Sequence, residues 1–329
     1  MIRKTLESLI VSSSNRDKYR ELCRIETTIP LTSMDWWLDV VCGADLWDVI
    51  LIEKNGEIVC SMPYQKKMRL GLTYITMPLL TKTLGPWIKY PEGQKLVSKL
   101  SYEDEIFTVL IDKLPKFDYF NQNFHSSITN WLPFYWRDYQ QTTKFTYVIE
   151  DLTNLDRVFA NFKQNTRTEI RKAMKQIDVV CSNDVEMFYS INKKSFDRQA
   201  VSIPYSFVFF TQLDAECAKR NCRKMFFAKD KDNNIHAVWY IVWDKNSAKS
   251  LFSGADPKLR NSGATSLLIW EAIRHASVVT QRFDFDGSMM QSVEPLLRTF
   301  GGTQKQFFNI SKTNSKILKL KSFLREVLK

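Results

Sequence analysis

The chain has 329 residues, 44% of them hydrophobic and 25% charged, with 47 Lys and Arg against 36 Asp and Glu for a net charge of +11. That composition excludes wholesale disorder, and ten glycines exclude collagen-like and glycine-rich phosphate-loop architectures. The length suggests two domains, here placed at 1–145 and 146–329, and a core large enough to need no disulfide or metal staple.

The first half opens with a polar helical stretch and Met34-Asp35-Trp36-Trp37-Leu38. Val49 to Ile52 reads as a buried strand, Asn55-Gly56 as a hairpin turn and Ile58 to Met62 as the return. Leu72 to Thr76 is β-rich, Leu84-Gly85-Pro86-Trp87 is a turn, and residues 92–113 carry apolar side chains at helical spacing. Phe117 to Phe120 and Thr142 to Ile149 read as strands.

The second half alternates more clearly. Asp151 to Gln176 reads as helix broken near Gln164-Asn165, Val179 to Cys181 as strand, Asp184 to Gln199 and Tyr205 to Arg220 as helices. Strands follow at Met225 to Ala228, Ile235 to Trp243 and Ser250 to Ser253, then a helix from Ser262 to Ser277. Arg282 to Asp286 reads as a strand, Val293 to Phe300 as helix, Gln304 to Ile310 as strand, and the tail from Asn314 as an amphipathic basic helix. This alternation implies an α/β (α+β) sheet with helices on its faces. The hairpin around Asn55 is echoed by the one around Asn233, so two similarly built halves compete with chance similarity.

The charge is uneven. Residues 1–145 carry 18 basic and 17 acidic side chains, net +1, leaving residues 146–329 at net +10. An excess of that kind favours an anionic partner for the second half over a merely lysine-rich surface. Six cysteines form no C-x-x-C, as expected of reduced thiols in a cytoplasmic protein. No apolar run reaches the ~18 residues of a membrane span, and Leu9-Ile10-Val11 is too short for a signal peptide. Three histidines without H-E-x-x-H, and no G-x-S-x-G, argue against a metal site and against a Ser-His-Asp triad.

The unit from Ser250 to Ser277 is the most informative: a strand feeds a small-residue loop that opens a helix, whose free N–H groups and dipole suit a phosphate. Arg260-Asn261-Ser262-Gly263-Ala264-Thr265 in that loop resembles the Q/R-x-x-G-x-G/A loop of GNAT N-acyltransferases, with Thr265 where Gly or Ala is expected. Asn165 to Ala173, Gly263 to Ile273, Phe283-Asp284-Phe285-Asp286-Gly287-Ser288 with Phe300-Gly301-Gly302, and Pro78 through Trp87 resemble the FemAB branch of that superfamily. The resemblance implies two tandem GNAT-like domains, each a mixed central sheet flanked by helices. It further implies acyl or aminoacyl transfer to an amine on a cell-envelope precursor or sugar, with acyl-CoA or aminoacyl-tRNA as donor.

Under that resemblance, residues 260–265 are the donor loop. Arg167, Arg171 and Lys175, spaced i, i+4, i+8, would dock phosphates of a donor or acceptor, such as tRNA or a nucleotide-linked sugar. Asp284 and Asp286, two apart on a strand, would share one face, and a carboxylate there could take the proton of an attacking amine. Asp286 is preferred, pairing with Arg282 being the competing reading. Tyr205 is a candidate aromatic lining residue, Lys305 a candidate active-site cation, and the N–H groups near Ser253-Gly254 an oxyanion site. The basic C-terminal helix could pack back on the first domain or lie on an anionic membrane. A nucleic-acid-binding module and a non-catalytic GNAT scaffold stay open as alternatives.

Overall fold

The computed structural model describes residues 14–287 and 289–327. The first half runs α1 (Asn15–Ile25), α2 (Asp35–Cys42), β1 (Trp47–Lys54), β2 (Glu57–Arg69), β3 (Leu72–Thr76), β4 (Trp87–Ile88), α3 (Leu96–Asp112), β5 (Tyr119–Asn123), α4 (Leu132–Tyr135) and β6 (Gln140–Ile149). The second continues with α5 (Leu155–Ala160), α6 (Gln164–Ala173), β7 (Asp178–Cys181), α7 (Val185–Arg198), α8 (Phe207–Lys219), β8 (Arg223–Lys229), β9 (Ile235–Trp243) and β10 (Ala248–Ala255). It ends with α9 (Ala264–Val279), β11 (Phe283–Asp284), α10 (Glu294–Arg298), β12 (Thr303–Thr313) and α11 (Lys316–Val327).

The halves repeat one plan: two helices, a hairpin, a third strand, a crossover helix, a strand parallel to the third, and a last strand. Each hairpin turns on an asparagine with positive φ, 52° at Asn55 and 63° at Asn233, where asparagine tolerates the left-handed region. In each half the parallel pair is short. β3 meets β5 only at Tyr74–Ile75, and β10 meets β11 only at Ala248–Lys249, after which the strands splay.

The last strands are exchanged. β6, from the first half, pairs with β11 of the second, and β12, from the second, pairs with β5 of the first, while β6 and β12 pair with each other. The result is one twelve-stranded mixed sheet in the order β1-β2-β3-β5-β12-β6-β11-β10-β9-β8-β7, with β4 beside β2. The two sheets expected from sequence are therefore joined, and residues 145 and 146 lie inside β6.

Helices of both halves share a core on one face. Tyr19, Trp37 and Trp47 pack in one cluster with Phe188, Phe210 and Tyr240. The other face carries two cores: α3 and α4 supply Phe107 and Phe134, whereas α6 and α9 supply Ile170, Leu268 and Ile273. The stretch 151–176 is two helices rather than one, with Lys163 N bonded to Thr299 O in the break. The tail helix α11 does not pack back: apart from half-buried Leu318, its described side chains are exposed.

Candidate active site

Alternation along the central strands decides which side chains meet. Phe283 and Phe285 enter the α9 core, so Asp284 and Asp286 face the opposite side. By the same parity that side carries Lys144 and Thr146 of β6, Phe307 and Asn309 of β12, Asn123 of β5 with His125 just beyond it, and Lys249 of β10. It is a polar floor at the seam of the two halves.

Asp286 stands at its edge. The strand predicted over Arg282 to Asp286 stops at Asp284, because the chain turns sharply: φ is 55° at Asp286 and 38° at Gly287. A Cβ on Gly287 would lie 2.5 Å from Phe145 O and from Thr146 Cα, so only glycine lets the turn pass β6 this closely. Asp284 braces the turn, its Oδ1 accepting from Thr146 Oγ1 at 2.5 Å and from Asp286 N at 2.8 Å. Both aspartates are thus side by side, with different work: Asp284 holds the turn through Oδ1, and Asp286 faces the cleft.

Asp286 lines a cleft of about 430 Å³ with Lys67, residues 77–82 of the loop after β3, and Leu251. Lys82 crosses it, donating from Nζ to Gly287 O at 2.6 Å and lying 6.0 Å from the Phe307 ring. Burial pushes the Asp286 carboxyl up to about 7; Lys82 and Lys249 oppose that rise and Asp284 adds to it. Burial together with Lys82 lowers the ammonium of Lys144, which donates to Asn123 Oδ1 at 3.1 Å. His125 is pushed down to about 3 by burial and by Lys249 and Arg282, so it is neutral at physiological pH. Lys249 is 6% exposed and makes no hydrogen bond or ion pair among the described residues. Sequence reasoning missed Lys82, Lys144, Lys249 and His125. The one signal was a lysine inside the apolar run of β10.

Other candidate positions have partners of their own. Lys305, opposite Thr146 in the β6–β12 register and so on the same side of the sheet, pairs with Glu150 at 2.7 Å, which also faces Arg282 at 3.5 Å. Tyr205 is buried between α7 and α8, its hydroxyl donating to Asn192 Oδ1 at 2.7 Å. Arg167 and Arg171 lie on α6, and Lys175 falls just past its end. Arg171 sits 5.3 Å from the Phe159 ring, and the half-buried Arg167 has a buried Nε without a partner.

The edge of β10 near Ser253-Gly254 packs against α7. Asn192 of α7 donates to Ser253 O at 2.6 Å, and Ala255 N donates to Ser195 Oγ at 2.9 Å. Gly254 lies so close to α7 that a Cβ would sit 2.5 Å from Asn192 Cα.

The loop 260–265 opens α9 as expected, with Arg260 and Asn261 exposed, Ser262 and Thr265 half-buried, and Gly263 and Ala264 buried. Gly263 takes φ 77°, but it is α6 that approaches it: a Cβ there would lie 2.9 Å from Glu169 Cγ. The Glu169 carboxylate accepts from Ser266 Oγ at 2.8 Å in the first turn of α9. A carboxylate thus stands beside the helix start, where N–H groups and dipole would attract a diphosphate.

A repeated α/β unit with a short, splayed parallel strand pair in each half is a tandem GNAT-like fold. Residues 160–288 match the family model of the acetyltransferase (GNAT) domain. Residues 160–288 therefore carry a GNAT-type domain. Its fold is similar to that of FemX, with 11% identity, TM-score 0.64, and coverage of 89% of this chain and 95% of that one. It is similar also to the C-terminal domain of a putative lysylphosphatidylglycerol synthetase from Agrobacterium fabrum, with 6% identity, TM-score 0.53 and 95% of each chain covered. L-PGS from Bacillus licheniformis aligns with 9% identity, TM-score 0.50, and coverage of 82% of this chain and 85% of that one. At these identities the likeness is one of fold. No curated protein sequence matches the chain.

Proposed function

We propose that this acyltransferase moves an acyl or aminoacyl group from an activated ester to an amine on a cell-envelope precursor or sugar, with Asp286 as the base. The observation that carries this reading is the Asp286 carboxyl, held near neutrality at the mouth of a cleft between lysines. A base whose pKa lies near working pH combines a usable deprotonated fraction with real proton affinity. The amine nitrogen attacks the donor carbonyl, the carbonyl π electrons move to oxygen, and Asp286 takes the ammonium proton. Collapse of the tetrahedral species expels the donor's leaving group, which regains that proton from Asp286. Lys249, buried on the same floor, supplies positive charge for the developing oxyanion.

A donor recognised by charge on α6 is compatible with a carboxylate beside the start of α9. Arg167, Arg171 and Lys175 give the second half a basic ladder suited to the phosphates of an aminoacyl-tRNA. The test is transfer of a labelled aminoacyl group from tRNA, beside labelled acetyl-CoA, to amino sugars and muropeptide amines, with wild type and Asp286→Asn. Transfer that disappears with Asp286→Asn supports the reading. Equal transfer by both proteins removes Asp286 from it, and no transfer from either donor removes the reaction.

A further inference from the structure

The C-terminal helix α11 turns the wrong side outward for a helix that belongs to a core. At about 100° per residue, Ile317, Leu320, Phe323 and Leu324 fall within one arc of roughly 120°. All four are exposed, Ile317 at 71% and Phe323 at 61%. The half-buried Leu318 lies roughly opposite that arc and faces the body. Lys319 and Lys321 flank the arc on either side and Lys316 opens it; all three are exposed.

The start of the helix is fixed rather than dangling. Asn314 donates from its backbone N to Asp118 O at 2.8 Å and from Nδ2 to Phe117 O at 3.0 Å. Beside this anchor, Lys312 donates to Arg137 O at 2.6 Å, tying the end of β12 to the turn after α4. That turn exposes Tyr135 and Trp136, each at 58%, and Trp136 borders a cleft of about 550 Å³ that also reaches Lys312 and Asn314.

An outward apolar arc, lysines at its margins and an adjoining pair of exposed aromatic rings make a surface for the boundary of a lipid bilayer. Apolar side chains enter the acyl region, lysine stems reach back to the headgroups, and Trp and Tyr rings sit at the interface. We propose that α11, with Tyr135 and Trp136, docks this protein in plane on an anionic membrane surface. The lysine margin selects anionic lipid through charge complementarity, and a neutral surface would satisfy only the apolar arc. Among the described residues no helix is long and apolar enough to cross a membrane, so the attachment is peripheral.

The test is co-sedimentation of the full chain with phosphatidylcholine vesicles, with and without phosphatidylglycerol, across a salt series; it needs no acyl transfer. The expected result is sedimentation with the anionic vesicles that weakens as salt rises. Leu320→Asp with Phe323→Asp should abolish it, and Lys319→Glu with Lys321→Glu should weaken it by roughly tenfold or more. All four positions are exposed, so thermal melts of both variants should match wild type, which keeps a null result interpretable. Absence of vesicle binding, or binding that neither double variant alters, overturns the proposal. So does a concentration-dependent dimer that Phe323→Asp dissolves while vesicles fail to bind, since the arc would then cover a second copy of the chain.

Discussion

Lys82 of the first half donates to the carbonyl of Gly287 in the second at 2.6 Å, immediately beyond Asp286. One side chain therefore ties the loop after β3 to the turn that presents the candidate base, and it also supplies a cation beside that carboxyl.

Asp286→Asn should lower acyl transfer by roughly 100-fold or more, the usual contribution of a positioned general base. The same change should stabilise the fold. The native carboxyl is raised to about 7 while the unfolded one titrates near ~4, so the native state holds the extra proton. The wild-type penalty then grows from pH ~4 to ~7 and levels above. Thermal melts should show the Asn variant gaining roughly 1–3 kcal/mol at pH 8 and less at pH 5; an equal or negative difference at pH 8 contradicts the buried-carboxyl account.

The rate should depend on pH through the same group. A base is active when deprotonated, so kcat/KM should rise through about pH 7 and then flatten. Lys82 lowers the Asp286 pKa, so Lys82→Met should carry the rising limb to higher pH. A limb that stays in place in this variant would separate Asp286 from the rate.

Gly287→Ala should be destabilising by about 2–4 kcal/mol, because the new Cβ would meet the β6 backbone at 2.5 Å. Denaturant unfolding measures this directly. A change within ±0.5 kcal/mol would mean that the turn relaxes freely.

Acetyl-CoA should leave the wild-type melting temperature unchanged, since Glu169 holds the first turn of α9. Glu169→Ala should permit a rise with ligand concentration, as mass action requires of a ligand bound to the native state. Stabilisation of wild type would show that Glu169 yields to the diphosphate.

The exchanged strands predict one cooperative unfolding transition for both halves. A chain ending at residue 302 loses β12 and with it the partner of both β5 and β6, and should not fold. Two resolved transitions in the whole chain would contradict this.

Local signals read well from sequence. The Asn55-Gly56 turn and the positions of most strands depend on neighbours a few residues apart. The proposal of Asp286 rests on the same kind of local cue, a carboxylate at the end of a short strand. Lys82, 204 residues away in the chain, carried no local mark, because its role depends on meeting Asp286 and Gly287 across the seam.

The same division explains Gly263 and α11. A glycine opening a helix is legible as a close approach, but the visitor was read as phosphate and is α6 with Glu169. The amphipathic period of α11 was legible, whereas the side it turns outward was not. By itself the sequence determined the alternation of strands and helices, the turns and the basic second half, because propensity and periodicity act over a few residues. Only the tertiary structure decided the strand exchange, the near-neutral carboxyl of Asp286 and the contact of Glu169 with α9. Hydrogen-bond pairing and desolvation depend on which distant segments come together, and no local pattern records that.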